Sequence, residues 1–156
     1  MSLRVGIGVD AHAFEDGVPL VLGGVRFESP RGLAGHSDGD VITHALIDAV
    51  LGAAGLGDIG SLFPSDASTP IGISSLDLLG DAVARVRAAG YAVSNADCVL
   101  IGEEPRISER RSEMVEVLSA VVDAPVNVRA TTTDGLGFTG RREGLAAQAV
   151  ALVESS

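Results

Sequence analysis

Three side chains suited to binding zinc lie within the first 44 residues. Asp10 and His12 are two positions apart at the end of a strand-like run, so in extended geometry their side chains point to the same face. His44 lies on the first turn of a predicted helix. One carboxylate and two imidazoles are ligands that zinc prefers, and three protein ligands leave a fourth position open for a ligand oxygen. The pattern therefore favours a catalytic metal site.

Each of these residues also has an ordinary structural interpretation. An Asp-x-His pair is common without a metal, and a single helical histidine is more often hydrogen-bonded to backbone. Asp48, one helical turn after His44, is either a solvated charge or a partner that orients a ligand imidazole. His36 opens a polar segment that is also consistent with a loop leading to Asp40 as a helix cap.

A second segment, residues 130–141, is rich in threonine and glycine and lies between a predicted strand and a predicted helix. Hydroxyl groups, backbone N–H groups and a helix N-terminus form an anion site, to which Arg141 adds a bidentate contact. The alternative is a glycine-rich turn whose threonines are merely good strand formers. Asp134 fits an anion site only if a cation bridges the carboxylate and the anion.

The composition limits the function classes. The formal net charge is −10, with 11 basic and 21 acidic residues, and no basic cluster that a nucleic acid would require. No apolar run reaches the roughly 18 residues of a membrane span. Cys98 is the only cysteine, so an intrachain disulfide is excluded. We expect a cytoplasmic protein without a signal peptide that binds neither nucleic acid nor membranes.

Strand-like and helical patterns alternate along the chain, which is typical of an α/β or α+β protein. We find no linker or repeat, so residues 1–156 are predicted to form a single domain. The predicted strands are residues 3–9, 20–22, 25–27, 91–101 and 126–130, and the predicted helices are residues 40–54, 75–89, 108–121 and 145–154.

Taken together, these segments resemble one family closely: the 2-C-methyl-D-erythritol 2,4-cyclodiphosphate synthases of the non-mevalonate isoprenoid pathway. The resemblance covers nearly the whole chain. It rests on motifs in a specific order and spacing, namely Asp10-Ala11-His12, His36-Ser37-Asp38-Gly39-Asp40-Val41 with His44, Leu56-Gly57-Asp58-Ile59-Gly60, Phe63-Pro64, Pro105-Arg106, Thr131-Thr132-Thr133 and Gly137-Phe138-Thr139-Gly140-Arg141.

The resemblance implies a reaction and the residues that perform it. The enzyme would cyclise 4-diphosphocytidyl-2-C-methyl-D-erythritol 2-phosphate and release CMP. Zinc would bind Asp10, His12 and His44, one magnesium or manganese ion would bind Asp134, and His36 and Thr132 would stabilise the transition state. The residues that the resemblance assigns to substrate contact are Asp10, His12, His36, Ser37, Asp58, Ile59, Gly60, Phe63, Gly102, Pro105, Arg106, Thr131, Thr132, Thr133, Asp134, Phe138 and Arg141.

The resemblance also implies a fold and an assembly. We expect an α+β fold, an α/β sandwich with a mixed sheet of four to five strands and helices on one face. Three subunits would assemble around their sheets, with each active site between two subunits. Residues 102–108 would line a cytosine pocket. A central cavity would hold an isoprenoid diphosphate, with Arg141 at its mouth.

Four departures from the family pattern and two rival functions accompany this interpretation. Asp134 stands where many members have Glu, Arg106 where many have Lys, and Arg142 where a glycine is common. Ser65-Asp66-Ala67 replaces the common Asp-Thr-Asp after Phe63-Pro64. One rival is a catalytically silent protein of the same fold that binds a metal or an isoprenoid diphosphate. The other is a zinc phosphohydrolase that uses water as the nucleophile.

Overall fold

A computed structural model describes residues 1–155, and residue 156, the last of the predicted domain, lies outside the described residues. The strands are β1 (Leu3–Asp16), β2 (Leu20–Leu22), β3 (Val25–Phe27), β4 (Arg31–Leu33), β5 (Tyr91–Ile101), β6 (Val126–Thr131) and β7 (Gly144–Ser155). The helices are α1 (Val41–Ala54), α2 (Ile59–Leu62), α3 (Ser75–Ala88), α4 (Arg111–Val122) and α5 (Gly137–Gly140).

Five strands form one mixed sheet in the order β4-β1-β7-β5-β6, and β2 pairs with β3 in a separate hairpin. β7 runs antiparallel to both β1 and β5, whereas β6 runs parallel to β5. The helices α1, α3 and α4 pack on the face of the sheet that holds the buried side chains of its strands. The predicted α+β class, with a mixed sheet and helices on one face, is confirmed.

Two glycines of β1 allow α1 to lie directly on the sheet. Gly6 and Gly8 are buried, and a Cβ atom at these positions would overlap the carbonyl oxygens of Ala49 and Ala45 respectively. This close approach brings the start of α1, which carries His44, against β1.

The last element differs from the prediction: residues 145–154 form most of β7, not a helix. Alanine favours helices, but Ala147, Ala149 and Ala151 alternate with more exposed residues and are at most 1% exposed. Small side chains at these positions let α1 pack closely against the centre of the sheet. The intervening residues include Val150 and Leu152, so apolar residues lie on both faces of the strand. The alternation of apolar and polar residues that identifies a strand is therefore not visible in the sequence.

Asp40 begins α1 and fastens it to the β2–β3 hairpin. Its carboxylate accepts hydrogen bonds from the backbone and hydroxyl of Thr43, which confirms the predicted helix cap. The same carboxylate accepts from the backbone of Gly23 at 2.8 Å and of Gly24 at 2.7 Å. These glycines have φ values of 58° and 76°, as a type I′ hairpin turn requires. Burial raises the pKa of Asp40, although these hydrogen bonds oppose the shift.

The part of the sheet along β1 that faces away from the helices is apolar and open. Leu3, Val5, Ile7 and Val9 in β1 are 60–68% exposed, and Val150, which pairs with Ile7, is 42% exposed. A contiguous apolar patch on a protein surface usually marks an interaction site. We call these five residues the outer face.

The remaining differences from the predicted elements are short extensions and additions. β1 continues to Asp16 because it pairs with β4 after it leaves β7. The predicted loops contain β4, α2 and α5. α4 begins at Arg111 rather than at residue 108, because a turn closed by Arg110 N–H and the Ile107 carbonyl precedes it. Cys98 is fully buried, as expected of a small core residue.

Candidate functional site

The ligand atoms of Asp10, His12 and His44 converge. Asp10 Oδ2 lies 2.7 Å from His12 Nε2 and 3.1 Å from His44 Nδ1, and the two nitrogens are 3.2 Å apart. Zinc bonds of about 2.0–2.1 Å in a tetrahedron place ligand atoms roughly 3.3 Å apart, so the three atoms fit such a centre. Within residues 1–155 this is the only group of three or more His, Cys, Asp or Glu side chains close enough to share a metal ion.

Local structure explains this convergence. Asp10 and His12 alternate with the exposed residues of β1, so both point toward α1. His44 lies one turn into α1 and is 8% exposed. The contact of Gly8 with the backbone of Ala45 brings the strand and the helix close enough for the three side chains to meet.

The outer nitrogens of the two imidazoles are also held. His12 has a hydrogen bond to the backbone of Ala34. His44 Nε2 lies 2.9 Å from both Ser37 Oγ and Ser75 Oγ. Asp48 takes neither of the roles considered for it, because its Oδ1 accepts from Ile59 N–H at 2.7 Å. Asp48 therefore anchors the start of α2.

The charges of the triad reinforce one another. Burial alone would raise the pKa of Asp10, but hydrogen bonds and charge interactions with His12 and His44 lower it to about 2. The hydrogen bond to Asp10 raises the pKa of His12, against the opposing effect of burial. Asp10 is thus held as a carboxylate, the form that binds a cation.

A cavity of about 170 Å³ opens beside the triad. It brings together most of the residues assigned to the metal and the methylerythritol part of the substrate, and it adds three that the sequence had not indicated. The predicted lining residues are Asp10, His12, His36, Ser37, His44, Ile59, Gly60 and Phe63, and the additional ones are Ser65, Thr69 and Leu78. We call this the metal cavity.

His36 is kept away from the metal ligands. Its Nε2 is hydrogen-bonded to the Thr69 carbonyl oxygen. Asp58 does not line the metal cavity but caps α2, where its carboxylate accepts from Ser61 N–H at 2.8 Å. The start of α2, which offers Ile59 and Gly60 to the cavity, is therefore fixed by its cap Asp58 and by Asp48 of α1.

A second cavity, of about 510 Å³, lies between the end of β5 and the end of β6. It contains Gly102, Pro105, Arg106, Thr131 and Thr132 from the predicted set. Arg111 and Arg142 also line it and were not predicted. Three arginines, against the single carboxylate of Glu103, give this cavity the cationic character that a phosphate requires. We call it the arginine cavity.

Four further predicted residues line neither cavity in the single chain. Thr133 Oγ1 donates to the Leu136 carbonyl at 2.7 Å. Asp134 is exposed and has a φ of 52°. Phe138 is 42% exposed, and Arg141 is exposed and paired with Glu143. These side chains are accessible to a neighbouring chain.

In the described part of the chain, none of the helices has the length and apolar character needed to cross a membrane.

Comparison with known proteins gives consistent matches over almost the full length. The YgbB family model matches residues 3–154. The 2-C-methyl-D-erythritol 2,4-cyclodiphosphate synthase of Syntrophobacter fumaroxidans is 51% identical to this chain, and the match covers 98% of each chain.

Two solved structures are similar in fold. The bifunctional IspDF from Campylobacter jejuni matches with a TM-score of 0.95 and 38% identity, over 99% of this chain and 43% of that chain. IspF from Plasmodium falciparum, in complex with CDP, matches with a TM-score of 0.85 and 30% identity, over 99% of this chain and 97% of that chain.

Proposed function

This chain belongs to the YgbB family, and we propose that its metal cavity and the arginine cavity of a neighbouring subunit hold opposite parts of one diphosphate substrate. The chain is a phosphorus–oxygen lyase of the non-mevalonate isoprenoid pathway. The 2-phosphate of 4-diphosphocytidyl-2-C-methyl-D-erythritol 2-phosphate attacks the β-phosphorus of the same molecule. CMP leaves, and 2-C-methyl-D-erythritol 2,4-cyclodiphosphate forms.

This reaction sets two requirements for the protein. The nucleophile is already an anionic phosphate oxygen, so a strong general base is unnecessary. The protein must instead fold the substrate into an attack geometry and balance its crowded negative charge. A chain with a net charge of −10 needs cations and local donors for the second task.

The converged triad is the observation that carries the assignment of the metal. Asp10, His12 and His44 would hold zinc, which supplies Lewis acidity to a phosphoryl oxygen. His36 and Ser37, which line the same cavity, would donate hydrogen bonds to the reacting phosphates. Ile59 and Gly60, which line the metal cavity, would contact the methylerythritol part. Asp48 and Asp58 hold the start of α2 and so keep these two residues in place.

The arginine cavity would take the cytidine part. Gly102 and Pro105 would contact the base, and Arg106 would lie near the phosphates. Support comes from the structural relative from Plasmodium falciparum, which was solved with CDP. Thr132 would hold the diphosphate in the transition state, and Asp134 would hold a magnesium or manganese ion beside it.

The complete site would lie between two subunits of a homotrimer. The metal cavity and the arginine cavity share no lining residue. The outer face supplies the apolar surface through which sheets of neighbouring subunits would pack. Thr131, Thr132 and Thr133 would then serve a metal cavity of the next subunit. A central cavity of the trimer would admit an isoprenoid diphosphate, with Arg141 at its mouth.

A cytoplasmic location is part of this proposal. It is supported by Cys98, the only cysteine, which is buried and unpaired and so suits a reducing compartment.

Product analysis tests the reaction. The cytidyl substrate is incubated with the protein, zinc and magnesium, and we expect CMP together with the cyclic diphosphate. CMP with a linear diphosphate would indicate hydrolysis by water, and no turnover would indicate a binding protein. His44→Ala should lose both zinc and product. A His44→Ala protein with full zinc content and rate would contradict the ligand assignment.

A further inference from the structure

The side of the His44 ring that faces away from Asp10 and His12 contacts a buried serine. His44 Nε2 lies 2.9 Å from Ser75 Oγ, and Ser75, the first residue of α3, is fully buried. The family assignment gives no role to Ser75.

The proton of the Ser75 hydroxyl is directed elsewhere. Ser75 Oγ donates a short hydrogen bond to Asp38 Oδ1, and Ser75 N–H donates to Asp38 Oδ2 at 2.9 Å. An ionised carboxylate has only acceptor atoms, so between these two oxygens the hydroxyl must be the donor. Ser75 Oγ therefore presents a lone pair, not a proton, to His44 Nε2.

Ser37 is compatible with the same arrangement. Its Oγ is also 2.9 Å from His44 Nε2 and accepts from Gly39 N–H at 3.2 Å. If His44 Nε2 donates to both serine oxygens, the Ser37 proton remains available to the metal cavity, which Ser37 lines.

We propose that Asp38 and Ser75 are positioning residues that keep the proton of His44 on Nε2 and turn the lone pair of Nδ1 toward Asp10 and His12. A metal-bound imidazole commonly donates its other N–H to an acceptor that fixes its tautomer and orientation. Here the Ser75 hydroxyl forms a relay of hydrogen bonds between the Asp38 carboxylate and the His44 ring. The inference rests on the proposed metal at the triad.

The relay also explains how the two helices are aligned at the metal centre. Asp38 Oδ1 accepts from Asp40 N–H at 3.1 Å, directly before α1. The other oxygen holds the first residue of α3. One carboxylate thus sets the starts of α1 and α3 relative to each other, and His44 is positioned between them.

Zinc affinity is the first test, measured on the full-length protein by competition with a chromophoric chelator. We expect Ser75→Ala and Asp38→Asn to bind zinc about 10- to 100-fold more weakly than the wild type. Ser74→Ala is the matched control, because Ser74 is the neighbouring residue and its side chain makes no cap hydrogen bond to α3. It should bind zinc as the wild type does. Thermal unfolding of the metal-free proteins identifies any variant that fails to fold.

Nitrogen-15 NMR of the zinc-loaded protein is the second test. We expect a slowly exchanging proton on His44 Nε2 in the wild type and in Ser74→Ala, and faster exchange of this proton in Ser75→Ala. A folded Ser75→Ala protein with wild-type zinc affinity would overturn the proposal. So would zinc bound to His44 through Nε2. A wild type that binds no zinc at all would instead overturn the proposed metal, and with it this relay.

Discussion

Asp10 Oδ2 and His12 Nε2 lie 2.7 Å apart, and each group shifts the pKa of the other in the direction that favours the ion pair. Burial would raise the pKa of Asp10, but its histidine partners lower it from 3.8 to about 2. The bond to Asp10 raises the pKa of His12 above 6.5. In the metal-free protein the Asp10 carboxylate therefore favours the protonated form of His12.

This pair predicts how the stability of the metal-free protein depends on pH. The contribution of His12 is fully present below 6.5 and is lost as the pH rises through its higher folded pKa. The contribution of Asp10 is present above 3.8 and is lost as the pH falls toward about 2. We expect the pair to stabilise the metal-free protein most between these limits, as measured by urea unfolding with and without Asp10→Asn.

The zinc affinity should rise with pH as His12 loses its proton, whereas the stabilisation of the metal-free protein by His12 falls. Zinc requires a neutral His12, so binding displaces a proton and the affinity falls by at least about tenfold per pH unit below the His12 pKa. Chelator competition at a series of pH values measures this slope. A zinc affinity that stayed constant across that range would contradict His12 as a ligand.

The packing of α1 on β1 predicts an unequal response of two glycines to the same substitution. Gly8→Ala places a Cβ atom against the carbonyl oxygen of Ala45, so we expect a loss of about 1–3 kcal/mol or more in the free energy of unfolding. Gly80→Ala in α3 meets no atom within 4 Å and should gain about 0.5–1 kcal/mol. Denaturant unfolding measures both. If both substitutions changed the free energy of unfolding equally, α1 would have to move away from the sheet to make room for the new Cβ atom at residue 8.

The convergence of Asp10 and His12 was predictable because the two residues share a strand. Their spacing requires only the period of two, and the structure places both on the face toward α1. His44 was grouped with them on ligand chemistry and on the motif pattern, whereas the contact of Gly8 with α1, which brings His44 to them, has no local signature. Ser75 could not be predicted as a partner of His44 at all, because it lies 31 residues further along the chain.

The sequence failed at β7 and at the arginine cavity for different reasons. In β7 the buried alanines suggested a helix, and the apolar outer face concealed the alternation of a strand. In the arginine cavity, Arg111 was hidden because it begins a helix, where an arginine is usually solvated. Arg142 was noted only as a departure from a common glycine, and the structure explains that glycine by a φ of 60°.

The positive φ of Arg142 predicts a stabilising substitution. A non-glycine residue at a positive φ destabilises the folded protein by about 1–3 kcal/mol. Glycine avoids this strain, but it loses more chain entropy on folding, which offsets about 0.5–1 kcal/mol of the gain. We expect Arg142→Gly to raise the free energy of unfolding by up to about 2.5 kcal/mol, net of that entropy. Arg141→Gly is the control, because Arg141 has a φ of −83° and should gain nothing. Chemical denaturation distinguishes the two, and a stabilised Arg141→Gly would contradict the explanation.

The outer face predicts that assembly and metal binding can be separated. Ile7 is 60% exposed at the centre of this face. We expect Ile7→Glu to leave the fold of the single chain intact, because the side chain is mostly exposed within that chain, but the substitution introduces a charge into the proposed contact between sheets. By analytical ultracentrifugation we expect a species near the 15.8 kDa of one chain for Ile7→Glu, and a species of three times that mass for the wild type.

The same variant tests whether the active site is shared. All three metal ligands belong to one chain, so Ile7→Glu should still bind zinc, yet it should form no cyclic product because Thr132 would come from a neighbour. Ile71→Glu is the control for assembly, since Ile71 is 86% exposed but lies outside the sheet, and it should remain trimeric. If Ile7→Glu formed a monomer that still released CMP and the cyclic diphosphate at the wild-type rate, each chain would hold a complete site. The two cavities would then have to be bridged within a single subunit.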